Sequence, residues 1–398
     1  AQCNKRRTMM RLPAFFTVIG MLIGSQRLIL PSNSFSPPFS GKSTNVVLHS
    51  VRTDDGCIDR RCAVVGAFGL FAASASALVL PDMASAVSGG KSEIEIPTWT
   101  LDGGVEFPIL ALNTVGLSVE DSERAVGLAI AEGIRHVDFH PGKERDGVAA
   151  YMAKNGRNSL FLNTKIRKSP PGTSPLYAAE RTRAQIDEDL KALGVDQVDM
   201  LMLRDSPNPA VIQAQWAVLE DALAKGKTRS IGVINFCQGA LQAVLETAKI
   251  KPAINYYMLH VGMGTDAHGL RTFGESRGIR TFAYGACGEP TPNQAILSSP
   301  ILLRIAKEHN KLPEQVALRW VLQSGAGVSV RPTTDFGLGT STCGEGTKCQ
   351  SGIKSRASAF AFQLTTKEMT ELSDMTTPDD NPTLFSSAGC PGAFTMPK

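Results

Sequence analysis

The sequence predicts an α/β chain folded as a (β/α)8 TIM barrel with an N-terminal β-hairpin. Three observations carry this reading. Between Ser92 and Met375, short apolar or β-branched runs alternate with longer stretches of helical periodicity, the pattern of parallel βαβ units. Eight strand and helix pairs fill about 280 residues, the size of one barrel rather than two domains. The glycine fingerprint of a doubly wound sheet is missing: Gly337 and Gly339 give G-x-G, but Thr342 takes the third position and neither a strand nor a helix flanks them.

Taken in order, Ile94–Leu101 and Val105–Ile109 form a hairpin turned at Asp102-Gly103-Gly104. Strands follow near Ile109–Thr114, Ile134–Asp138, Leu160–Thr164, Val198–Leu203, Ser230–Val233, Ala253–Tyr257, Arg280–Tyr284 and Gly327–Val330. The clearest helices are Ser118–Glu132, Ala178–Leu193, Ala210–Ala224 and Pro313–Gln323, each with apolar residues at three- and four-residue spacing.

The barrel is expected over 92–376, with an insertion at 335–350 and a tail at 377–398. Residues 1–86 read as a targeting leader. They hold 9 basic and 4 acidic residues, whereas the rest of the chain holds 32 and 33, so the net charge of +4 resides in the leader. The nearly neutral body argues against nucleic-acid binding through a basic surface. Arg6, Arg7 and Arg11 precede the apolar run Leu12–Ile23, as in a signal peptide. Leu30–Arg52 is basic, acid-free and rich in Ser and Pro, like a transit peptide. Arg60-Arg61, the uncharged stretch Cys62–Leu80 and Ala84-Ser85-Ala86 then give a twin-arginine export signal with an A-x-A cleavage site. Residues 62–80 also allow a membrane anchor, although their Ala, Ser and Gly content makes them weakly apolar. This stacked order resembles the leaders of plastid proteins, which places the body in a plastid, in the thylakoid lumen or alternatively the stroma.

Five segments in register, Val126–Asp138, Asp189–Leu203, Trp216–Phe236, Lys251–Asn255 and Ile301–Gln323, resemble the aldo-keto reductases from about Ile96 to Met375. The resemblance implies a TIM barrel, NADP(H) as cofactor and a small-molecule carbonyl substrate. It also implies a catalytic set of Asp, Tyr, Lys and His, in which a buried cation lowers the pKa of a Tyr that protonates the carbonyl oxygen. Asp138 and Lys165 match the Asp and Lys. No Tyr lies in Phe139-His140-Pro141-Gly142-Lys143, and Lys143 or His140 stands nearest the missing donor. Arg204 occupies the family's His position, where its permanent forked charge suits a carbonyl or a carboxylate but not proton donation.

For the cofactor, Asn235 matches the residue that binds the carboxamide, and Tyr284 matches the aromatic that stacks on the nicotinamide. Ile234 replaces a Ser and Tyr256 replaces a Gln. Arg331, Thr333 and Thr334 stand in the phosphate-binding region. The family's next phosphate-binding Arg and Asn become Gly352 and Arg356.

Cys343 and Cys349 lie close enough along the chain to form a disulfide or to remain two loop thiols. His136, Asp138 and His140 alternate as metal ligands do on a strand, but the family pattern already explains the first two, so no metal is assigned. Two functions are therefore expected: an NADP-dependent carbonyl oxidoreductase with an eroded catalytic set, or a barrel that has lost reduction and serves as a binding or assembly protein for a thylakoid-lumen partner.

Overall fold

The computed structural model describes residues 95–376 apart from 158–159, 267–268, 289–292, 334–342 and 344–346. The leader of 1–86, the tail of 377–398, Thr334 and most of the 335–350 insertion lie outside the described residues.

A hairpin of β1 (Thr98–Leu101) and β2 (Val105–Pro108) comes first, its antiparallel register pairing Leu101 with Val105 across the glycine turn. Eight parallel strands then close into a barrel: β3 (Leu110–Asn113), β4 (His136–Asp138), β5 (Phe161–Lys165), β6 (Val198–Arg204), β7 (Thr228–Ile234), β8 (Ile254–Met258), β9 (Arg280–Tyr284) and β10 (Gly327–Val330). Neighbours follow chain order, and β10 closes on β3 through Val328 opposite Leu110. Each predicted strand is present, so the (β/α)8 barrel with its hairpin is the observed fold.

Helices cover the outside: α1 (Val119–Ala131), α2 (Lys143–Asn155), α3 (Pro175–Leu193), α4 (Pro209–Ala224), α5 (Gln238–Leu245), α6 (Leu270–Glu275), α7 (Asn293–Leu297), α8 (Pro300–Glu308), α9 (Pro313–Gln323), α10 (Thr347–Ala357) and α11 (Thr366–Ser373). Their starts obey local chemistry. The Ser118 hydroxyl accepts from the Asp121 N–H, and α3 begins at Pro175, three residues before its apolar periodicity, because Ser174 caps it and proline suits the first turn. Among the described residues no helix is long and apolar enough to cross a membrane.

The barrel has a sealed end and an open end. Phe107 from the hairpin enters the lower end and packs edge-on against His136, Phe161 and Phe282, with ring centroids 4.7, 5.2 and 5.1 Å away. His136 sits in this apolar floor and is pushed down to about 4 by burial, so it is neutral at physiological pH. Its Nδ1–H donates to Pro108 O (2.8 Å), and its Nε2 accepts from Asn163 Nδ2 (3.0 Å). Met200, Met202 and Ile254 fill the interior above. What remains for a ligand is the carboxyl-terminal end of the strands, where barrel enzymes keep their chemistry.

Candidate active site at the carboxyl-terminal end of the barrel

Asp138 ends β4 and Lys165 ends the neighbouring β5, where the register sets Asp138 opposite Asn163 and Lys165 two residues further along. Their side chains form an ion pair 0% and 1% exposed. Burial opposes ionisation of Asp138, but the Lys165 ammonium beside it holds the carboxyl below the usual carboxylate range. Three donors from three strands converge on this carboxylate. Besides Lys165, the Tyr256 hydroxyl of β8 and the Ser329 hydroxyl of β10 each donate to Oδ2 at 2.7 Å. Asn113 Nδ2, at the end of β3, donates in turn to the Tyr256 oxygen (3.1 Å). Lys165 also donates to Phe139 O (3.3 Å), which with Asp138 makes two acceptors for an ammonium group that carries three protons.

That space is a cavity of about 240 Å3 lined by Asn113, Val115, His140, Lys165, Arg204, Ile234, Asn235, Tyr256, Tyr284, Gly285, Ser329 and Arg331. Larger clefts lie on the outer surface, among them one of about 340 Å3 beside α3, but they gather none of these strand-end groups.

His140 enters this cavity from the β4–α2 connection. Its Nδ1–H donates to Glu144 Oε2 (2.9 Å), and the same oxygen accepts the His140 backbone N–H (2.9 Å). Glu144 Oε1 is held by the Gly116 N–H (2.9 Å). Burial and the nearby Lys165 lower the imidazole's pKa, and Glu144 only partly offsets them. Nε2 has no hydrogen-bond partner among the described residues. A carboxylate that fixes one imidazole nitrogen while the other faces a cavity is an arrangement for proton transfer.

Lys143 does not join it. It is the first residue of α2, exposed to solvent and absent from the lining, because the helix starts at the position where the resemblance would place a donor. Tyr256 holds its proton on Asp138, and burial together with that carboxylate pushes its phenol well above 10. These bonds make it a strut of the network at the wall of the cavity, with its proton committed to Asp138.

On the opposite wall, Tyr284 ends β9 and donates its hydroxyl to Asn235 Oδ1 (2.9 Å). Asn235 takes a left-handed backbone with φ 61° directly after β7, and its Nδ2 is left without a partner among the described residues. An aromatic ring beside an open amide donor suits a flat ring that bears an amide. Arg204 ends β6 and lines the cavity, and its buried Nε has no hydrogen-bond partner among the described residues.

At the outer rim, Arg331 lines the cavity after β10, while Thr333 is half-buried and does not. α10 closes the ground beyond. A Cβ on Gly352 would stand 2.0 Å from Pro332 O, so no side chain fits there. Arg356 is turned inward, 2% exposed, donating to Glu314 Oε1 (2.9 Å) and to the Arg331 carbonyl (2.9 Å). Cys343 and Cys349 are disulfide-bonded with Cα atoms 5.1 Å apart, and Arg124 of α1 donates to Cys343 O (2.6 Å).

The structure thus brings Lys165, Arg204, Asn235, Tyr256, Tyr284 and Arg331 to one cavity with Asp138 beneath, and leaves Lys143 and Thr333 outside. Sequence reading missed Asn113, Ser329 and Glu144. Only Glu144 carried a signal, its spacing of four from His140 across a helix start.

Comparison with known proteins gives a consistent picture. The model of the aldo/keto reductase family matches residues 110–376. An aldo-keto reductase of Mycolicibacterium smegmatis is 29% identical over 288 residues, 71% of this chain and 94% of that protein. A glyoxal reductase of Bacillus subtilis is 31% identical over 234 residues, 57% of this chain and 79% of that one. The crystal structure of an aldo/keto reductase from Brucella melitensis superposes with a TM-score of 0.60 at 26% identity, covering 70% of this chain and 99% of that one.

Proposed function

The chain belongs to the aldo/keto reductase family, and on that premise we propose that its barrel-top cavity reduces the carbonyl group of a small molecule with NADP(H) as the redox partner. The observation that carries this reading is the buried Asp138–Lys165 pair, with Lys165 lining a cavity that also contains a carboxylate-bound histidine.

The residues fit the nicotinamide end of such a dinucleotide. The Tyr284 ring offers a stacking face and the open Nδ2 of Asn235 a donor for the carboxamide oxygen. At the other end Arg331 lines the cavity, Gly352 has no side chain to offer a 2′-phosphate, and the Nε and Nη1 of Arg356 are committed to the Arg331 carbonyl and to Glu314. A dinucleotide held by these residues would supply a hydride to the carbonyl carbon. This chain's own residues do the rest. Tyr256 and Ser329 keep Asp138 ionised and in place, Asp138 fixes Lys165, and the ammonium draws electron density from the carbonyl oxygen. His140, in its protonated form, gives that oxygen a proton from Nε2 while Glu144 stabilises the imidazolium. Closure of the barrel floor by Phe107 restricts water to the open mouth.

A second reading, a barrel that binds a small molecule without reducing it, is favoured by the commitment of the Tyr256 hydroxyl to Asp138. One assay separates them: consumption of NADPH by the purified protein with a panel of small aldehydes and ketones, lost in Lys165→Met, supports the reductase, whereas NADPH binding without consumption supports the second reading. The leader read over residues 1–86 supports delivery to a plastid and its thylakoid lumen. Its test is a fusion carrying Arg60→Lys and Arg61→Lys, which should stop short of the lumen.

A further inference from the structure

We propose that the cavity selects an oxo acid, a carbonyl compound whose carboxylate is held by Arg204; the carbonyl part of this proposal rests on the reductase reading above, the anion part on Arg204 alone. The charge around the cavity is one-sided. Its lining contains Lys165, Arg204, Arg331 and His140, and neither Asp nor Glu. The carboxylates behind the wall are committed. Asp138 is held by Lys165, Tyr256 and Ser329, Glu144 by His140 and the Gly116 N–H, and Asp205, adjacent to Arg204 in sequence, by Lys168 at 2.8 Å. Arg204 has no ion-pair or hydrogen-bond partner among the described residues, and its Nε is shielded from solvent. A guanidinium donor shielded from solvent and lacking an acceptor is an unfavourable state that a carboxylate relieves, and the planar fork takes two carboxylate oxygens.

Position then fixes the kind of anion. Met202 points into the barrel interior, so Arg204, two residues on along β6, faces the same way and stands directly above it. Met202 pairs with Lys165 across β5 and β6. Two residues of strand rise put Arg204 about 7 Å above the level of Lys165. A carboxylate on Arg204 thus leaves a carbonyl one or two bonds away within reach of the Lys165 ammonium and His140. A 2-oxo or 3-oxo acid fits that span, and the Tyr284 ring offers an apolar wall for its side chain.

The test uses the full chain and two probes of nearly the same shape, phenylglyoxylate and the uncharged phenylglyoxamide, titrated calorimetrically with and without saturating NADP+. The acid should bind at least about tenfold more tightly than the amide. Arg204→Gln should abolish that preference while leaving the amide's affinity unchanged, and Arg204→Lys should keep part of it. Equal binding of acid and amide by the native protein in both conditions overturns the proposal, as does a preference that survives Arg204→Gln in a protein with the native circular dichroism. NADPH oxidation is measured in parallel. A carboxylate preference without turnover keeps the anion part of this proposal and defeats the reductase reading together with the carbonyl part. Turnover of neutral carbonyls as fast as of the acid keeps that reading and defeats this proposal.

Discussion

The Tyr256 hydroxyl reaches across the barrel and donates to Asp138 Oδ2 at 2.7 Å, joining two residues 118 positions apart in the chain. A tyrosine in contact with the family's Asp and Lys invites the conclusion that the missing proton donor has moved to β8. Its environment argues otherwise, because burial and the neighbouring carboxylate both disfavour loss of its proton.

Tyr256→Phe should therefore lower stability by roughly 1–2 kcal/mol, the cost of one hydrogen bond to a buried carboxylate, and slow carbonyl reduction by no more than about tenfold. Urea unfolding and initial-rate kinetics check both. A loss of turnover on the scale expected for removal of a general acid, roughly a hundredfold or more, would instead make Tyr256 the donor.

Reduction should weaken as pH rises. In the proposed mechanism the proton donor is protonated His140, whose pKa is lowered by burial and by Lys165. The rate of reduction should be greatest at low pH and fall as pH rises through that lowered value, while oxidation of the corresponding alcohol should rise over the same range. His140→Gln should flatten both profiles, and a profile unchanged in that variant would remove His140 from the chemistry.

Lys165→Met should destabilise the barrel by about 3–5 kcal/mol near neutral pH, because it leaves Asp138 charged and buried without its cation. In the native protein Asp138 titrates below its unfolded value, so its contribution is present above that value and is lost as pH falls through the lowered one. Without Lys165 burial dominates and raises the carboxyl. The difference in stability between native and variant should therefore shrink toward about pH 4. Thermal melting across pH measures it, and a difference independent of pH would contradict the ionised pair.

Gly352→Arg restores the residue type that the family uses for the 2′-phosphate, yet it should not restore affinity. Its Cβ would stand 2.0 Å from Pro332 O, so α10 must move away and stability should fall by about 1–3 kcal/mol. NADPH should be preferred over NADH by less than about tenfold in the native protein. A large preference, or a stable Gly352→Arg variant that binds NADPH more tightly, would show that the phosphate sits elsewhere.

The fold was legible because its signals are local. Alternating runs such as Val198–Leu203, capping residues such as Ser118 and the turn at Asp102-Gly103-Gly104 each act within a few residues. The retained parts of the site were equally legible, since Asp138 and Lys165 end consecutive strands and closure of the barrel sets them side by side. What escaped depends on contacts across the barrel. Ser329 meets Asp138 from 191 residues away, and Tyr256 stands at a position where a cofactor contact was expected. The inward turn of Arg356 onto Glu314 depends likewise on how α10 packs against α9, which periodicity does not encode.

The most direct test of the central claim follows the transferred hydrogen. The protein is incubated with NADPH carrying deuterium at the transferable C4 position and with phenylglyoxylate or a small aldehyde, and the products are analysed by mass spectrometry. The account predicts an alcohol with one deuterium on the carbinol carbon, formed together with an equal amount of NADP+, and not formed by Lys165→Met. Unreduced carbonyl recovered beside intact labelled NADPH, from a protein that demonstrably binds both, would contradict it.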